Sequence, residues 1–126
     1  MPITRIVCRA TLSDADLERI SDILHDSLVR EFAVPSDDKF QIFERLPERQ
    51  RVYDRRYLSG GRSADFILFQ ITAGKPRSAV QKQRFYRALS AGLHERLGIN
   101  PNDVMVTLQF TQAEDWSFSL GEQYCP

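Results

Sequence analysis

The sequence predicts a mixed α/β (α+β) fold, in which a tandem β-α-β repeat builds a four-stranded mixed sheet with two helices on one face. Two amphipathic helices each follow a short strand rich in β-branched residues, and each precedes a further strand. Serines precede both helices, Ser13 and Ser78, and are 65 positions apart (78 − 13). The apolar residues of the first helix map onto those of the second at the same offset.

The first unit contains a strand at 3–10, a helix from Ser13 to near Ala33 and a short strand at 40–43. Ser13 and Asp16 form a variant of the capping box, which predicts the helix start. Pro35 ends the helix, because proline cannot continue it. The apolar stripe of this helix consists of Leu17, Ile20, Ile23, Leu24, Leu28 and Phe32.

The second unit contains a strand at 64–72, a helix from Ser78 to about Leu97 and a strand at 103–111, followed by an irregular tail. The strand at 64–72 is apolar on both faces, which predicts a central position in the sheet. Ser78 and Gln81 form a capping box, and Gly98 is a stop signal. Between the units, residues 44–62 predict a loop and hairpin with a strand near 51–57.

Length and composition indicate one domain with two units, about 2–60 and 61–126. Seventeen basic and seventeen acidic residues give no net charge, which disfavours nucleic acid as a partner. The arginines between Arg45 and Arg62 are mixed with acidic residues, so a solvated or subunit-contacting surface is favoured over a phosphate site.

The chain has only two cysteines, which excludes a disulfide framework and a zinc cluster. With no signal peptide and no membrane span, we expect a cytoplasmic protein.

Both helices are predicted on the same face of the sheet, because each β-α-β connection is right-handed. The other face then needs a partner, since a sheet buries its apolar residues against another layer. The sequence therefore predicts an oligomer.

Pro2 is the first candidate for chemistry. Removal of Met1 would leave a secondary amine at the start of a strand, and α-amines titrate near neutral pH. Such a nitrogen can act as a general base, a general acid or a carbonyl nucleophile. The alternative is that proline follows methionine by chance.

Three further groups could form a site around it. Lys75 and Arg77 lie between a buried strand and a helix start, where they could bind a carboxylate or simply form a charged loop. Asp37 and Asp38 follow the helix-ending proline and could orient water or an amine, or form an Asx turn. The aromatic residues of the tail could line a pocket or complete the core: Trp116, Phe118 and Tyr124.

These residues together resemble the tautomerase superfamily, and within it the malonate semialdehyde decarboxylases. The resemblance rests on the order and spacing of several segments, namely 32–41, 61–63, 75–78, 98–104 and 115–118. It implies a homotrimer with sites near subunit boundaries and no metal or organic cofactor.

The resemblance also implies roles for individual residues. Pro2 corresponds to the catalytic proline, and Asp38, rather than Asp37, to the catalytic aspartate. Lys75 and Arg77 correspond to two arginines that bind and activate the substrate, so one arginine is replaced by lysine. Lysine keeps the charge but loses the planar fork that grips a carboxylate. Residues corresponding to the aromatic pocket are Trp116 and Phe118, with Tyr124 standing in for a phenylalanine.

The function that the resemblance implies is decarboxylation or keto–enol tautomerisation, without a cofactor, of a small 2- or 3-oxo acid similar to malonate semialdehyde or phenylpyruvate. The expected partners are this oxo acid and two further copies of the chain, with no nucleic acid and no membrane. An alternative of another class is a non-catalytic trimeric domain that binds anions or partner proteins.

Overall fold

The computed structural model describes residues 1–126 and forms one four-stranded sheet with two long helices. In chain order the elements are β1 (Pro2–Arg9), α1 (Asp14–Phe32), β2 (Phe40–Leu46), β3 (Ile67–Ala73), α2 (Ala79–Leu97) and β4 (Val104–Phe110). The strand order is β2-β1-β3-β4. Strands β1 and β2 are parallel, as are β3 and β4, while β1 and β3 are antiparallel. The predicted mixed sheet and tandem β-α-β pattern are therefore confirmed.

Both helices begin and end where the sequence signals predicted. The Ser13 hydroxyl accepts the Asp16 N–H at 3.1 Å, and the Asp16 carboxylate accepts the Ser13 N–H at 3.1 Å. Ser78 and Gln81 make the same reciprocal pair at 2.9 and 3.2 Å. Helix α2 ends at Gly98, whose φ of 68° lies in the left-handed region that glycine adopts without steric cost. Neither helix is long and apolar enough to cross a membrane.

The core lies between the two helices and one face of the sheet. Alternate residues of β1 face the core, so Thr4, Ile6 and Cys8 are buried while Arg5 points to the other face. Burial raises the pKa of the Cys8 thiol, despite the opposing effect of nearby arginines, so this cysteine stays neutral. The helices contribute the predicted stripes, in which the buried residues are Ile20, Ile23, Leu24, Leu28 and Phe32 on α1 and Phe85, Leu89 and Leu93 on α2.

The second face of the sheet carries no helix. Arg5 lies opposite Ile42 of β2 and Gln70 of β3, and its guanidinium bonds the carboxylate of Glu44 at 2.9 Å. Apolar side chains lie among these polar ones, and Ile42 is 50% exposed. This face is open in the single chain, as the one-sided helix arrangement predicted.

The strand predicted near 51–57 is wrong. The Arg51 side chain is buried and donates to the carbonyls of Ala64 and Phe66, at 3.1 and 2.9 Å. The Asp54 carboxylate accepts the N–H groups of Arg56 and Tyr57 in an Asx-type turn. Backbone groups here bond to side chains rather than to a neighbouring strand, so residues 51–66 form an irregular arm.

Two strand boundaries differ from the prediction by three residues, and the others differ by one residue at most. Strand β2 continues three residues beyond Phe43, because Glu44 pairs with Arg5 on the open face instead of starting a loop. Strand β3 begins at Ile67 rather than Ala64, since a turn in which the Phe66 N–H bonds the Ser63 carbonyl precedes it.

Candidate active site

The candidate residues emerge at one end of the sheet because of the strand directions. Strands β1 and β2 start at this end, whereas β3 and β4 finish there. In the register Pro2 lies opposite Ala73, which in turn lies opposite Phe110, and Ile3 lies opposite Phe40. The loops that follow α1, β3 and β4 all leave the fold at this end.

The amino terminus lies against a carboxylate. The Met1 ammonium nitrogen is 2.9 Å from Oδ2 of Asp38, while Asp37 is exposed to solvent. Pro2 is buried at the first position of β1, and its nitrogen belongs to the Met1–Pro2 amide in the unprocessed chain. The structure thus places Asp38 beside the amino terminus, one peptide unit from the Pro2 nitrogen.

Helix α1 fixes the turn that carries Asp38. After Ala33 ends the helix in the left-handed region, the Asp38 N–H bonds the Pro35 carbonyl at 3.0 Å. Nε2 of His25 lies 2.8 Å from the Ser36 carbonyl, so the helix holds the middle of the turn as well. The carboxylate is therefore presented by a turn that its own backbone hydrogen bond closes and that His25 holds to α1.

The two cations of the turn after β3 lie in different environments. Lys75 is exposed and makes no ion pair. Arg77 is half-buried: Nη2 donates to the Phe32 carbonyl at 2.7 Å, Nη1 donates to the Lys75 carbonyl, and the guanidinium lies 5.1 Å from the Phe32 ring centroid. Burial lowers the pKa of Arg77, although a guanidinium stays charged at neutral pH. Arg77 thus caps the end of α1 and keeps other N–H donors free.

The aromatic residues of the tail form a wall outside the core. The Trp116 and Phe118 rings stack with centroids 5.4 Å apart, and Tyr124 meets the edge of Phe118, also at 5.4 Å. Phe40 lies 6.5 Å from Phe118 and is 52% exposed. From the sequence, Phe40 was predicted only as a strand residue. The available signal was its position two residues after Asp38, on the same face of β2 as Ile42, which is the open face of the sheet.

Met1 and Gly74 connect the amino terminus to this wall. A Cβ atom built on Gly74 would lie 2.6 Å from Met1 Cε and 3.1 Å from Trp116 Nε1. The structure therefore brings the amino terminus, Asp38 and Trp116 together. It directs Arg77 toward the end of α1 instead. Gly74 was not a candidate from sequence, because a glycine at a strand end is expected on turn grounds alone.

The remaining features lie elsewhere. The largest cleft, of about 760 Å³, runs between α2 and β4 and is lined by none of the candidate residues. Three arginines of the arm, Arg51, Arg55 and Arg62, bond to carbonyls of the chain itself, as with Arg62 Nη1 and the Asp54 carbonyl at 2.9 Å. No group of three or more His, Cys, Asp or Glu side chains is placed to hold a metal ion.

Comparison with known proteins gives consistent matches over the chain. The tautomerase enzyme family model matches residues 38–119. The probable tautomerase YusQ of Bacillus subtilis (strain 168) is 34% identical over 121 residues, which cover 96% of this chain and 95% of the relative. A crystal structure of malonate semialdehyde decarboxylase, described with decarboxylase and hydratase activities, is 31% identical with a TM-score of 0.88, over 95% and 92% of the two chains. A fused 4-OT symmetric trimer, 16% identical over 96% and 94%, shares the fold with a TM-score of 0.78.

Proposed function

The chain belongs to the tautomerase family and is an enzyme, and we propose that it is a cofactor-independent decarboxylase or keto–enol tautomerase of small 2- or 3-oxo acids that acts through Pro2. The observation that carries the proposal is the 2.9 Å contact between the chain's amino group and Asp38. It supports a site in which an amine and a carboxylate meet beside a cationic turn.

Removal of Met1 transfers the free amine to Pro2. The free amine is then one residue, about 3.8 Å along the chain, from the position of the nitrogen that contacts Asp38. As a secondary amine it can donate a proton to a carbonyl oxygen, accept one from carbon, or attack the carbonyl carbon. Asp38 would orient this amine or a water molecule beside it.

The carboxylate of the substrate would bind to the turn that follows β3. Arg77 supplies a fixed guanidinium whose position is set by the Phe32 carbonyl, and Lys75 supplies a mobile ammonium. Both follow Ala73, the residue paired with Pro2, so the cations and the amine belong to the same end of the sheet.

Two reactions fit this arrangement. In a 3-oxo acid, the bond to the carboxyl carbon breaks, CO₂ leaves, and the electron pair passes to the carbonyl to give an enolate, or an enamine if Pro2 has formed an iminium. A proton from Pro2 or water then returns to carbon. In tautomerisation, Pro2 moves a proton between carbon and oxygen of the oxo acid. The wall of Trp116, Phe118 and Tyr124 would place an apolar surface beside the reacting carboxylate, which favours the release of neutral CO₂.

The proposal includes a homotrimer. The face of the sheet opposite the helices is open in the single chain, and β2 and β4 are unpaired edges. The symmetric trimer formed by a protein of the same fold supports this assembly. The cytoplasmic location stays a prediction from the sequence.

The test replaces Pro2 by alanine, which leaves a primary amine after Met1 removal. We expect kcat/KM for malonate semialdehyde or phenylpyruvate to fall about a hundredfold, the range of a general acid–base group. Pro47→Ala is the control, because Pro47 is exposed and lies beyond the opposite end of β2. Mass spectrometry establishes the processing of each variant. A wild-type enzyme that is active with Met1 attached, or a fully active Pro2→Ala variant, would contradict the role of Pro2.

A further inference from the structure

Gly74, the residue after β3, has no backbone reason to be glycine. Its φ lies outside the left-handed region, so any residue could adopt this conformation. The constraint is space. A Cβ atom here would lie 2.6 Å from Met1 Cε, the movable end of a flexible side chain, and 3.1 Å from Trp116 Nε1, which is held in place by its hydrogen bond to Thr111. The missing side chain therefore opens a slot between the strand end and Trp116.

The Met1 side chain occupies this slot. Its ammonium group is held by Asp38, and its Cε methyl lies over Gly74 beside the Trp116 indole. Methionine is an unbranched, flexible and apolar side chain. The occupied space thus has the shape of a short linear chain that starts next to the Pro2 nitrogen.

The Trp116 side of the slot presents no unpaired hydrogen-bonding group to its occupant. Trp116 Nε1 donates to the Thr111 hydroxyl at 2.6 Å, and Thr111 bonds the Ala73 carbonyl through its N–H at 2.9 Å and its hydroxyl at 3.3 Å. The indole N–H is therefore satisfied within the protein, and the ring is held in one orientation. An apolar occupant leaves no hydrogen-bonding group unpaired.

We propose that the slot over Gly74 binds the tail of the substrate, and that the preferred substrates are oxo acids with an unbranched apolar tail of roughly three to four heavy atoms, the length of a methionine side chain. The inference rests on the proposed function, since it places the reacting carbon at Pro2 and the carboxylate at Lys75 and Arg77. The tail then occupies the space that the Met1 side chain vacates when Met1 is removed. While Met1 is retained, it fills the slot and blocks it.

The first experiment measures hydrogen–deuterium exchange at C3 of pyruvate and of 2-oxohexanoate by proton NMR. In D₂O, the Pro2 nitrogen removes the C3 proton, the C–H electron pair forms the C2–C3 double bond, and the carbonyl π pair moves to oxygen. The protonated Pro2 nitrogen exchanges with the solvent and returns a deuteron to C3 as the carbonyl reforms. We expect the processed enzyme to have a higher kcat/KM for 2-oxohexanoate than for pyruvate, and Gly74→Ala to lower the ratio of these two values about tenfold. The proposed slot is rejected if Gly74→Ala leaves the preference for 2-oxohexanoate intact, or if kcat/KM falls equally for both acids.

Gly60→Ala is the matched control. Gly60 lies in the arm, near the start of β4. A Cβ atom added there would lie 3.1 Å from the Asn102 side chain, the same distance as between a Cβ atom added at Gly74 and Trp116 Nε1. It tests for a general effect of crowding a glycine. We expect the preference for 2-oxohexanoate to stay unchanged in this variant, and an equal loss in both variants would count against the slot.

The second experiment needs no turnover. Trp116 is the chain's only tryptophan, so tryptophan emission, excited at a wavelength that tyrosine does not absorb, reports on this wall alone. We expect hexanoate to change the emission of the processed protein at concentrations at least tenfold below those at which acetate acts, and Gly74→Ala or a retained Met1 to abolish the difference. Equal responses to hexanoate and acetate would overturn the slot.

The two experiments separate the slot from the proposed function. Exchange that proceeds without tail selectivity leaves the proposed function standing and rejects the slot. Tail-selective fluorescence without exchange of any oxo acid supports the slot and rejects the proposed catalysis by Pro2.

Discussion

At the scale of single residues, the two cations of the turn after β3 contribute differently. Arg77 is held by the Phe32 and Lys75 carbonyls, so its charge has a defined position. Lys75 is exposed and keeps the rotational freedom of its side chain, which costs entropy when it binds a carboxylate. Its ammonium group also offers a point charge rather than a planar fork.

We therefore predict that Lys75→Arg raises kcat/KM for decarboxylation of malonate semialdehyde about fivefold, which corresponds to roughly 1 kcal/mol of transition-state stabilisation. Lys82→Arg serves as the control, because Lys82 lies on α2 with its ammonium 4.9 Å from the Phe110 ring centroid. Proton NMR of the reaction mixture gives both rates. An unchanged or lower rate for Lys75→Arg would show that the lysine is not a weaker carboxylate clamp.

Residues with an evident chemical function were the ones that the sequence could identify. Asp38, Lys75 and Trp116 carry charge or a large ring, and their positions relative to strand and helix ends were readable. Gly74 and Phe40 were missed, because their importance depends on neighbours distant in sequence. Only the fold shows that Gly74 faces both Met1 and Trp116.

At the scale of elements, the two helix starts have the same geometry but differ in one titratable group. The carboxylate of Asp16 caps α1, whereas the neutral amide of Gln81 caps α2. The hydrogen bond from the Ser13 N–H lowers the pKa of Asp16 below its ordinary value of 3.8. The cap of α1 is thus fully formed above that value and is lost as the pH falls through the lower folded-state pKa.

We predict that acid loosens the first turn of α1 but not that of α2. In an NMR titration, the Ser13 amide proton should shift with a midpoint below pH 3.8, while the Ser78 amide proton should not follow the same curve. Asp16→Asn should remove the Ser13 transition. A Ser13 midpoint at or above the ordinary aspartate value, or equal shifts at both serines, would contradict the assignment.

The helices were predictable because caps and apolar stripes are local signals. The arm was not, since its conformation depends on contacts across the chain: Asp103 accepts the Ser63 hydroxyl at 2.6 Å, and Arg51 reaches the Phe66 carbonyl. A β-branched residue and two tyrosines near 51–57 favour a strand locally. Buried bonds from Arg51 and the Asp54 turn override that preference.

At the scale of the whole molecule, the site depends on how the two β-α-β units pair. The sequence predicted parallel strands within each unit and the order of the elements. A mixed sheet implies an antiparallel pair between the units, but the sequence did not predict that β1 pairs with β3 or that Pro2 lies opposite Ala73. That pairing brings the amino terminus of one unit next to the cationic turn of the other, so neither unit alone contains the proposed site.

The same pairing leaves one face of the sheet open, and a trimer would bury it. We predict that Ile42→Lys breaks the trimer, because the new ammonium would lie opposite Arg5, which already pairs with Glu44, and burying this second cation in the interface would be costly. Light scattering after gel filtration should give three times the 14.6 kDa chain mass for the wild type and a lower mass for this variant. Val80→Lys, on a 55% exposed position of α2, should remain trimeric. A trimeric Ile42→Lys protein would mean that the open face is covered in some other way.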